Sequence, residues 1–174
     1  MTVTSPAGAP GPVDVTVTTP SGTSSTSAAD VFVYELAPTV TAVSPLSGPL
    51  SGQTPVTITG TDFTGATGVS FGSTGANSFT VNTSTQVTAV SPAETAGTVN
   101  VTVTTLSGTS TITTADDFSF EAAPTVSALS PAAGPAAGGT AVTITGTGFT
   151  GASAVDFGTV TAAFSVVSLS LIHI

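Results

Sequence analysis

The feature that most constrains this chain is that it repeats itself every 86 residues. Pro38-Thr39-Val40 returns as Pro124-Thr125-Val126, Ser44-Pro45 as Ser130-Pro131, and Gly48-Pro49 as Gly134-Pro135. The run from Val56 to Thr61 returns letter for letter as Val142 to Thr147, and Phe63 to Ala66 as Phe149 to Ala152. The front of the chain obeys the same shift: Val15 to Thr19 matches Val101 to Thr105, Ser21 to Ser24 matches Ser107 to Ser110, and Phe32-Val33-Tyr34-Glu35 matches Phe118-Ser119-Phe120-Glu121. A fixed period of this kind means one structural unit used several times. Residues 37–122 form one complete repeat, residues 1–36 the back of a preceding one, and residues 123–168 the front of a following one.

Within the repeat, Val56 and Ile58 alternate with Thr57 and Thr59, and Val99, Val101 and Val103 alternate with Asn100, Thr102 and Thr104. Period-2 alternation of β-branched residues describes half-buried strands. Gly and Pro clusters interrupt these runs every ~8–12 residues, the spacing of an all-β sandwich. The pattern predicts seven strands, at 38–44, 54–60, 67–72, 77–82, 85–90, 98–105 and 115–121, in two antiparallel sheets packed face to face. A Ser/Thr-rich chain with Pro is also the composition of a disordered stalk. Regular apolar alternation, and phenylalanines at 63, 71, 79, 118 and 120 where core anchors belong, argue against disorder.

The combination of Pro-Thr-Val-x-x-x-Ser-Pro-x-x-Gly-Pro from Pro38, Val-Thr-Ile-Thr-Gly-Thr-x-Phe-Thr-Gly-Ala from Val56, and Val69-Ser70-Phe71-Gly72 resembles the IPT/TIG family of immunoglobulin-like domains. The Val-Thr-Val-Thr-Thr segment and the closing Asp117-Phe118-Ser119-Phe120 are similar to that family's last strands. The resemblance covers all but the last six residues and implies all-β, early-set immunoglobulin-like sandwiches in tandem. In bacteria such domains occur in large surface or secreted proteins and beside catalytic domains of polysaccharide-degrading enzymes. In animals they occur in receptor ectodomains and in some transcription factors, whose DNA-binding branch uses basic loops that this chain lacks.

That last point follows from composition. The chain has no Lys and no Arg against nine Asp and Glu, a formal net charge of −9. Nucleic-acid binding depends on cationic side chains displacing counterions, and attraction to anionic lipid depends on the same residues. Both are excluded as partners, as is every Lys– or Arg–carboxylate ion pair. The absence of Cys removes disulfides, thiolate metal sites and cysteine nucleophiles. Every apolar run is broken within a few positions, so no stretch approaches the ~20 residues of a membrane-spanning helix. Met1 to Pro6 has neither a basic region nor an apolar stretch and is not a signal peptide; an export signal is expected upstream of this fragment.

A seven-stranded fold does not begin at its last strands, so the sequence is expected to be cut at both ends. Leu169-Ser170-Leu171-Ile172-His173-Ile174 finds no counterpart after Thr83 at the 86-residue shift. One back-translation, CTG TCT CTT ATA CAC ATC, reads like the transposon end used in preparing sequencing libraries, and residues 169–174 are read as adaptor sequence carried into the open reading frame.

No catalytic, cofactor-binding or metal-ligating residue is expected. The only imidazole is His173, in that tail, so no Ser-His-Asp triad can form. Asp116 and Asp117 are the one adjacent carboxylate pair; as strand neighbours they are expected to face opposite ways, unlike a glycosidase pair. Gly146-Thr147-Gly148-Phe149-Thr150-Gly151 satisfies G-x-G-x-x-G, but a dinucleotide site needs a helix to follow, and none is predicted. Calcium needs several converging oxygens. Of the acidic residues only the pairs Asp30/Asp116 and Glu35/Glu121 recur, whereas Asp62, Asp117 and Asp156 do not; the one place considered for calcium is the junction near Glu121. Asn82 and Asn100 head glycosylation-type tripeptides and are expected to be unmodified.

These residues point to a non-catalytic spacer or stalk of an extracellular or cell-surface protein whose partners are its own neighbouring repeats. Two other readings stand beside it: an adhesive module for protein or glycan, and an accessory domain of a secreted polysaccharide-active enzyme encoded elsewhere. Glycan binding is weakened by a single Tyr, Tyr34, and no Trp.

Overall fold

The computed structural model describes residues 1–174. The complete repeat is a closed sandwich. Strands β5 (Thr39–Ser44), β7 (Pro55–Thr61), β10 (Ser78–Thr83) and β11 (Gln86–Val90) form one sheet in the order β10-β11-β7-β5. Strands β6 (Ser47–Pro49), β8 (Gly68–Phe71), β9 (Thr74–Gly75), β12 (Gly97–Thr105) and β14 (Asp117–Glu121) form the other in the order β6-β14-β12-β8-β9, with β13 (Gly108–Thr109) turning back along the end of β12. Pairing is antiparallel except for β6 and β14, which run parallel with Ser119 opposite Ser47 and Phe120 opposite Gly48. The chain passes from the first sheet to the second across Pro45, which has no N–H to give to a ladder.

The alternation read from sequence sets the core. Val40, Val43, Val56, Ile58, Val87 and Ala89 point inward from the first sheet; Val69, Phe71, Val101, Val103, Phe118 and Phe120 meet them from the second. Phe71, Phe118 and Phe120 pack edge to face, with centroids 5.3, 5.1 and 6.2 Å apart, the arrangement that the ring quadrupole favours. Gly60 is required where it stands, because a Cβ there would overlap the Thr39 carbonyl and the Phe63 ring; Gly146 stands in the same relation to Thr125 and Phe149. On the outer faces, hydroxyl pairs such as Thr39–Thr61 (3.0 Å), Thr98–Ser119 (2.8 Å) and Thr104–Thr109 (2.9 Å) span neighbouring strands. These cross-strand contacts take the place that ion pairs have in more highly charged sheets.

The flanking segments reproduce parts of this template. In the first, β1 (Gly11–Asp14) pairs with β4 (Val31–Tyr34), and β2 (Thr18–Thr19) with β3 (Gly22–Thr23). Every pair of partners lies 86 residues before its counterpart in β12, β13 and β14: Val13 opposite Phe32 answers Val99 opposite Phe118, and Thr18 opposite Thr23 answers Thr104 opposite Thr109. In the last segment, β15 (Thr125–Ser130), β16 (Thr143–Thr147), β19 (Ser165–Ser168) and β20 (Leu171–His173) form a sheet in the order β15-β16-β20-β19, the counterpart of β5-β7-β11-β10. The short hairpin β17 (Asp156–Phe157) and β18 (Val160–Thr161) corresponds to β8 and β9.

Here the structure corrects one expectation, that Leu169 to Ile174 has no counterpart. Leu171–His173 pairs with β16 as Gln86–Thr88 pairs with β7: Ile172 lies opposite Ile144 as Val87 lies opposite Ile58. Backbone bonds from Gly146 to Ser170 and from Phe149 to Leu169 copy those from Gly60 to Thr85 and from Phe63 to Ser84. The shift in this stretch is 85 rather than 86, so one residue is missing, and an alignment held at 86 passes over the match. The physical cause is general. An unpaired edge of β16 offers N–H and C=O groups to any segment with apolar alternation, and Ile172 and Ile174 on either side of the exposed His173 supply it, with Ile172 buried and Ile174 packed against the same cluster.

Candidate functional site

A polar constellation around a fully buried carboxyl lies where the chain enters β14. Thr114–Asp116 forms a single 3-10 turn capped by Thr113, whose hydroxyl accepts from the Ala115 N–H at 3.2 Å. The Asp116 carboxyl, fully buried, accepts from the Thr113 N–H at 2.8 Å and from the Asn100 amide at 2.8 Å. This reciprocal cap satisfies the donors a turn would leave open. The same Asn100 amide donates to Asp117 at 2.9 Å. The two carboxyls therefore meet at one donor, and the expectation that they face opposite ways is corrected. Asp116 belongs to a turn rather than to the strand, so the two-residue alternation does not reach it. The recurrence of Asp30 has the same cause: its carboxyl accepts from the Ser27 N–H at 2.9 Å, and the Ser27 hydroxyl accepts from the Ala29 N–H at 3.2 Å. The Asp116 and Asp30 carboxyls each hold a backbone N–H of the turn before them, and Asn100, one of the two glycosylation-type asparagines, has its amide engaged by Asp116 and Asp117.

The other sequence candidates are dispersed. Gly146 to Gly151 leaves β16 as a turn, with Gly148 and Gly151 at positive φ (72° and 75°), Phe149 in the core, and no helix behind it. Asp62, at φ 59°, occupies the left-handed position that Gly148 takes in the other copy, a conformation Asp tolerates better than most residues; its carboxyl accepts from the Thr61 hydroxyl at 2.8 Å. Asp156 accepts from the Thr161 hydroxyl at 2.7 Å within its own hairpin. His173 is exposed on β20, opposite Thr143 and Ser165. Asn82 is exposed, with its amide on Gln86 and Thr88. No group of three His, Cys, Asp or Glu side chains lies close enough to hold a metal ion, and no helix is long and apolar enough to cross a membrane.

One contact unites different repeats. The Ser107 hydroxyl, at the tip of the turn between β12 and β13, donates to the Glu35 carboxylate at 3.1 Å. A Cβ on Gly108, beside it, would lie 3.5 Å from the Ala37 methyl, and Pro38 is fully buried at the entry to β5. The linker from Glu35 to Pro38 is thus seated against the hairpin tip of the repeat it introduces. Sequence reasoning noted Glu35 and Ser107 as repeated letters but had no signal that they touch.

Residues 38–120 and 124–173 match the IPT/TIG domain. The chain belongs to the IPT/TIG family. Its repeats are immunoglobulin-like β-sandwich domains, a non-catalytic family, and the two matched stretches fall on the closed sandwich and on the β15–β20 segment. No curated protein matches the chain. Similar solved structures include the full extracellular region of plexin A4 (21% identity, TM-score 0.46, covering 82% of this chain and 13% of that one). Another is a crystal structure with xylogluco-oligosaccharide (19% identity, TM-score 0.45, 82% of this chain and 36% of that one). A third is SGBP-B from a complex xyloglucan utilization locus in Bacteroides uniformis (20% identity, TM-score 0.39, 79% of this chain and 41% of that one). The chain spans less than half the length of each.

Proposed function

We propose that these IPT/TIG repeats are non-catalytic spacer modules of an extracellular or cell-surface protein, with residues 37–122 one whole module and the segments on either side parts of its neighbours. The observation that carries this reading is the seated junction. Glu35 and Ala37, just before the buried Pro38, lie against the same hairpin tip, at Ser107 and Gly108, that the next module would present to Glu121 and Ala123. Both partners of the hydrogen bond recur, Glu35 as Glu121 and Ser21 as Ser107. Proline restricts φ and the residue before it, so successive sandwiches take a fixed angle rather than swinging freely. A binding module for sugars commonly offers an exposed aromatic face; here Tyr34 packs edge to face on Phe32 at 5.0 Å, and its hydroxyl donates to the Pro6 carbonyl at 2.7 Å.

The test is a spin-label distance measurement across the junction, using Thr23→Cys and Thr80→Cys in this otherwise Cys-free chain. A narrow distance distribution is expected, broadened when Glu35 and Ser107 are both changed to Ala. A distribution already broad with both side chains present would remove the spacer reading. Saturable binding of the chain to a defined glycan on an array would replace it with the adhesive one.

A further inference from the structure

An exposed sheet edge invites foreign strands, and proteins blunt such edges with charge, proline, bulges or a covering segment. In the closed module three edges are blunted in these ways. β6 is three residues long and ends in Pro49. β9 is two residues long, with the Thr74 hydroxyl donating to the Glu94 carboxylate beside it. β5 bulges between Val40 and Ala42 and has the Thr114–Asp116 turn packed against it. The fourth edge, β10, runs for six residues with neither Pro nor charge. Its one strand partner is β11, in unbroken register from Ser78 to Val81, and its bulge comes only after that. Phe79 and Val81 pack against the core but stay half-buried, because no strand lies beyond them. The strand order puts β10 at the side of the module opposite β5, where the chain enters, so neighbours joined end to end through Pro38 and Pro124 leave it uncovered. The edge recurs in the next repeat: β19 is the outer strand of its sheet, with Phe164 and Val166 in the places of Phe79 and Val81.

We propose that β10 is a docking edge for β10 of a second copy, the two strands pairing antiparallel about a two-fold axis through Thr80. The same surface serves on both sides, so the contact is isologous and closes as a dimer. The axis sets Thr80 opposite Thr80, and Phe79 of each copy opposite Val81 of the other. An aromatic ring beside a β-branched side chain is a favoured cross-strand pair, and both half-exposed side chains leave water as the two cores become continuous. Charge selects the partner. Copies of a chain whose net charge is −9 repel one another, yet no Asp or Glu lies between Phe63 and Ala93. All four strands of the first sheet are free of charge, whereas β14 in the second carries Asp117 and Glu121. The β10 edge is therefore where two such copies approach at the least electrostatic cost. One strand a side makes a small interface and a weak joint, and added salt, which screens the remaining like charges, strengthens it.

The absence of Cys from the chain allows a direct test on the full 174-residue protein. Residues opposite one another in an antiparallel pair have Cα atoms ~4.5–5.5 Å apart, within the span of a disulfide. Under mild oxidation Thr80→Cys is expected to give a disulfide-linked dimer, while Thr59→Cys, exposed in the middle of the same sheet, stays monomeric. In sedimentation velocity the unsubstituted chain is expected to show a dimer whose share rises with concentration and with salt. Thr80→Asp sets two carboxylates face to face on the axis and is expected to abolish that dimer; Thr59→Asp is expected to leave it, each variant keeping the parent far-UV spectrum. A chain monomeric at its highest soluble concentration overturns the proposal and leaves the edge to a foreign strand. Equal cross-linking at positions 80 and 59, or association that persists in Thr80→Asp, overturns it as well, since either result is contact without this register.

Discussion

Replacing one phenylalanine at two equivalent positions tests how burial, rather than sequence, sets its worth. Phe118 is fully buried and touches Phe71 and Phe120 edge to face at 5.3 and 5.1 Å. Its counterpart one repeat earlier, Phe32, is 41% exposed, with Tyr34 as its one aromatic partner, at 5.0 Å. Phe118→Ala removes a ring from a closed core and leaves a cavity, a change that costs about 3–5 kcal/mol. Domains of this size are stable by roughly 5–15 kcal/mol, so the substitution consumes a large part of what the repeat has. With a urea m-value of about 2 kcal/mol per molar for a small domain, the midpoint falls by about 2 M. Phe32→Ala removes the same atoms from a surface already wet, and the main transition stays within about 0.5 kcal/mol of the parent. The assay is urea unfolding followed by far-UV circular dichroism, because the complete repeat has neither Trp nor Tyr and its core is silent in intrinsic fluorescence. Equal costs at the two positions would refute the assignment of the closed core to residues 40–120. A cost below about 1 kcal/mol at Phe118 would refute the aromatic cluster itself.

Four further outcomes are expected. Asp116→Ala removes the acceptor of two 2.8 Å bonds inside the protein and leaves their donors unpaired, a loss of about 2–6 kcal/mol in the same urea assay, since each buried donor left unsatisfied costs ~1–3 kcal/mol. Gly60→Ala forces a methyl into the Thr39 carbonyl and the Phe63 ring and lowers stability by about 3 kcal/mol, whereas Gly68→Ala, which meets nothing within 4 Å, leaves the midpoint within about 1 kcal/mol. Calcium or a chelator leaves the unfolding midpoint unchanged, because no three ligating side chains converge; a shift on adding either would expose an unrecognised site. Nucleotide sequencing is expected to read CTG TCT CTT ATA CAC ATC for Leu169 to Ile174, and any other codon set removes the adaptor reading.

Much of the sandwich was legible because its signal is local. The seven strands read from alternation and turn residues overlap β5, β7, β8, β10, β11, β12 and β14, with ends displaced by no more than two residues. The strands that alternation did not reveal are β6, β9 and β13, two or three residues long, made of Ser, Thr, Gly and Pro. They exist because a longer neighbour offers them an edge, which no pattern in their own letters records. Asp116 illustrates a second limit. Charge next to a strand reads as surface, yet the residue is fully buried because Thr113 and Asn100 surround its carboxyl, and Asn100 lies 16 residues away. The Glu35–Ser107 contact is harder still, since its partners are 72 residues apart, and repetition alone distinguishes neither touching residues nor idle ones.

The parallel pairing of β6 with β14 has a mechanical consequence. The two strands run in the same direction, yet β6 continues back towards the entry of the module at Pro38, while β14 leads out at Glu121. A pull on the two ends therefore slides these strands past one another along their length. Their bonds, including the one from the Ser119 N–H to the Leu46 carbonyl at 2.8 Å, are loaded together in shear instead of being peeled apart one after another. A module built this way resists extension at its joined edge first, and the strength of a string of them is set by the short β6 patch rather than by the size of the core.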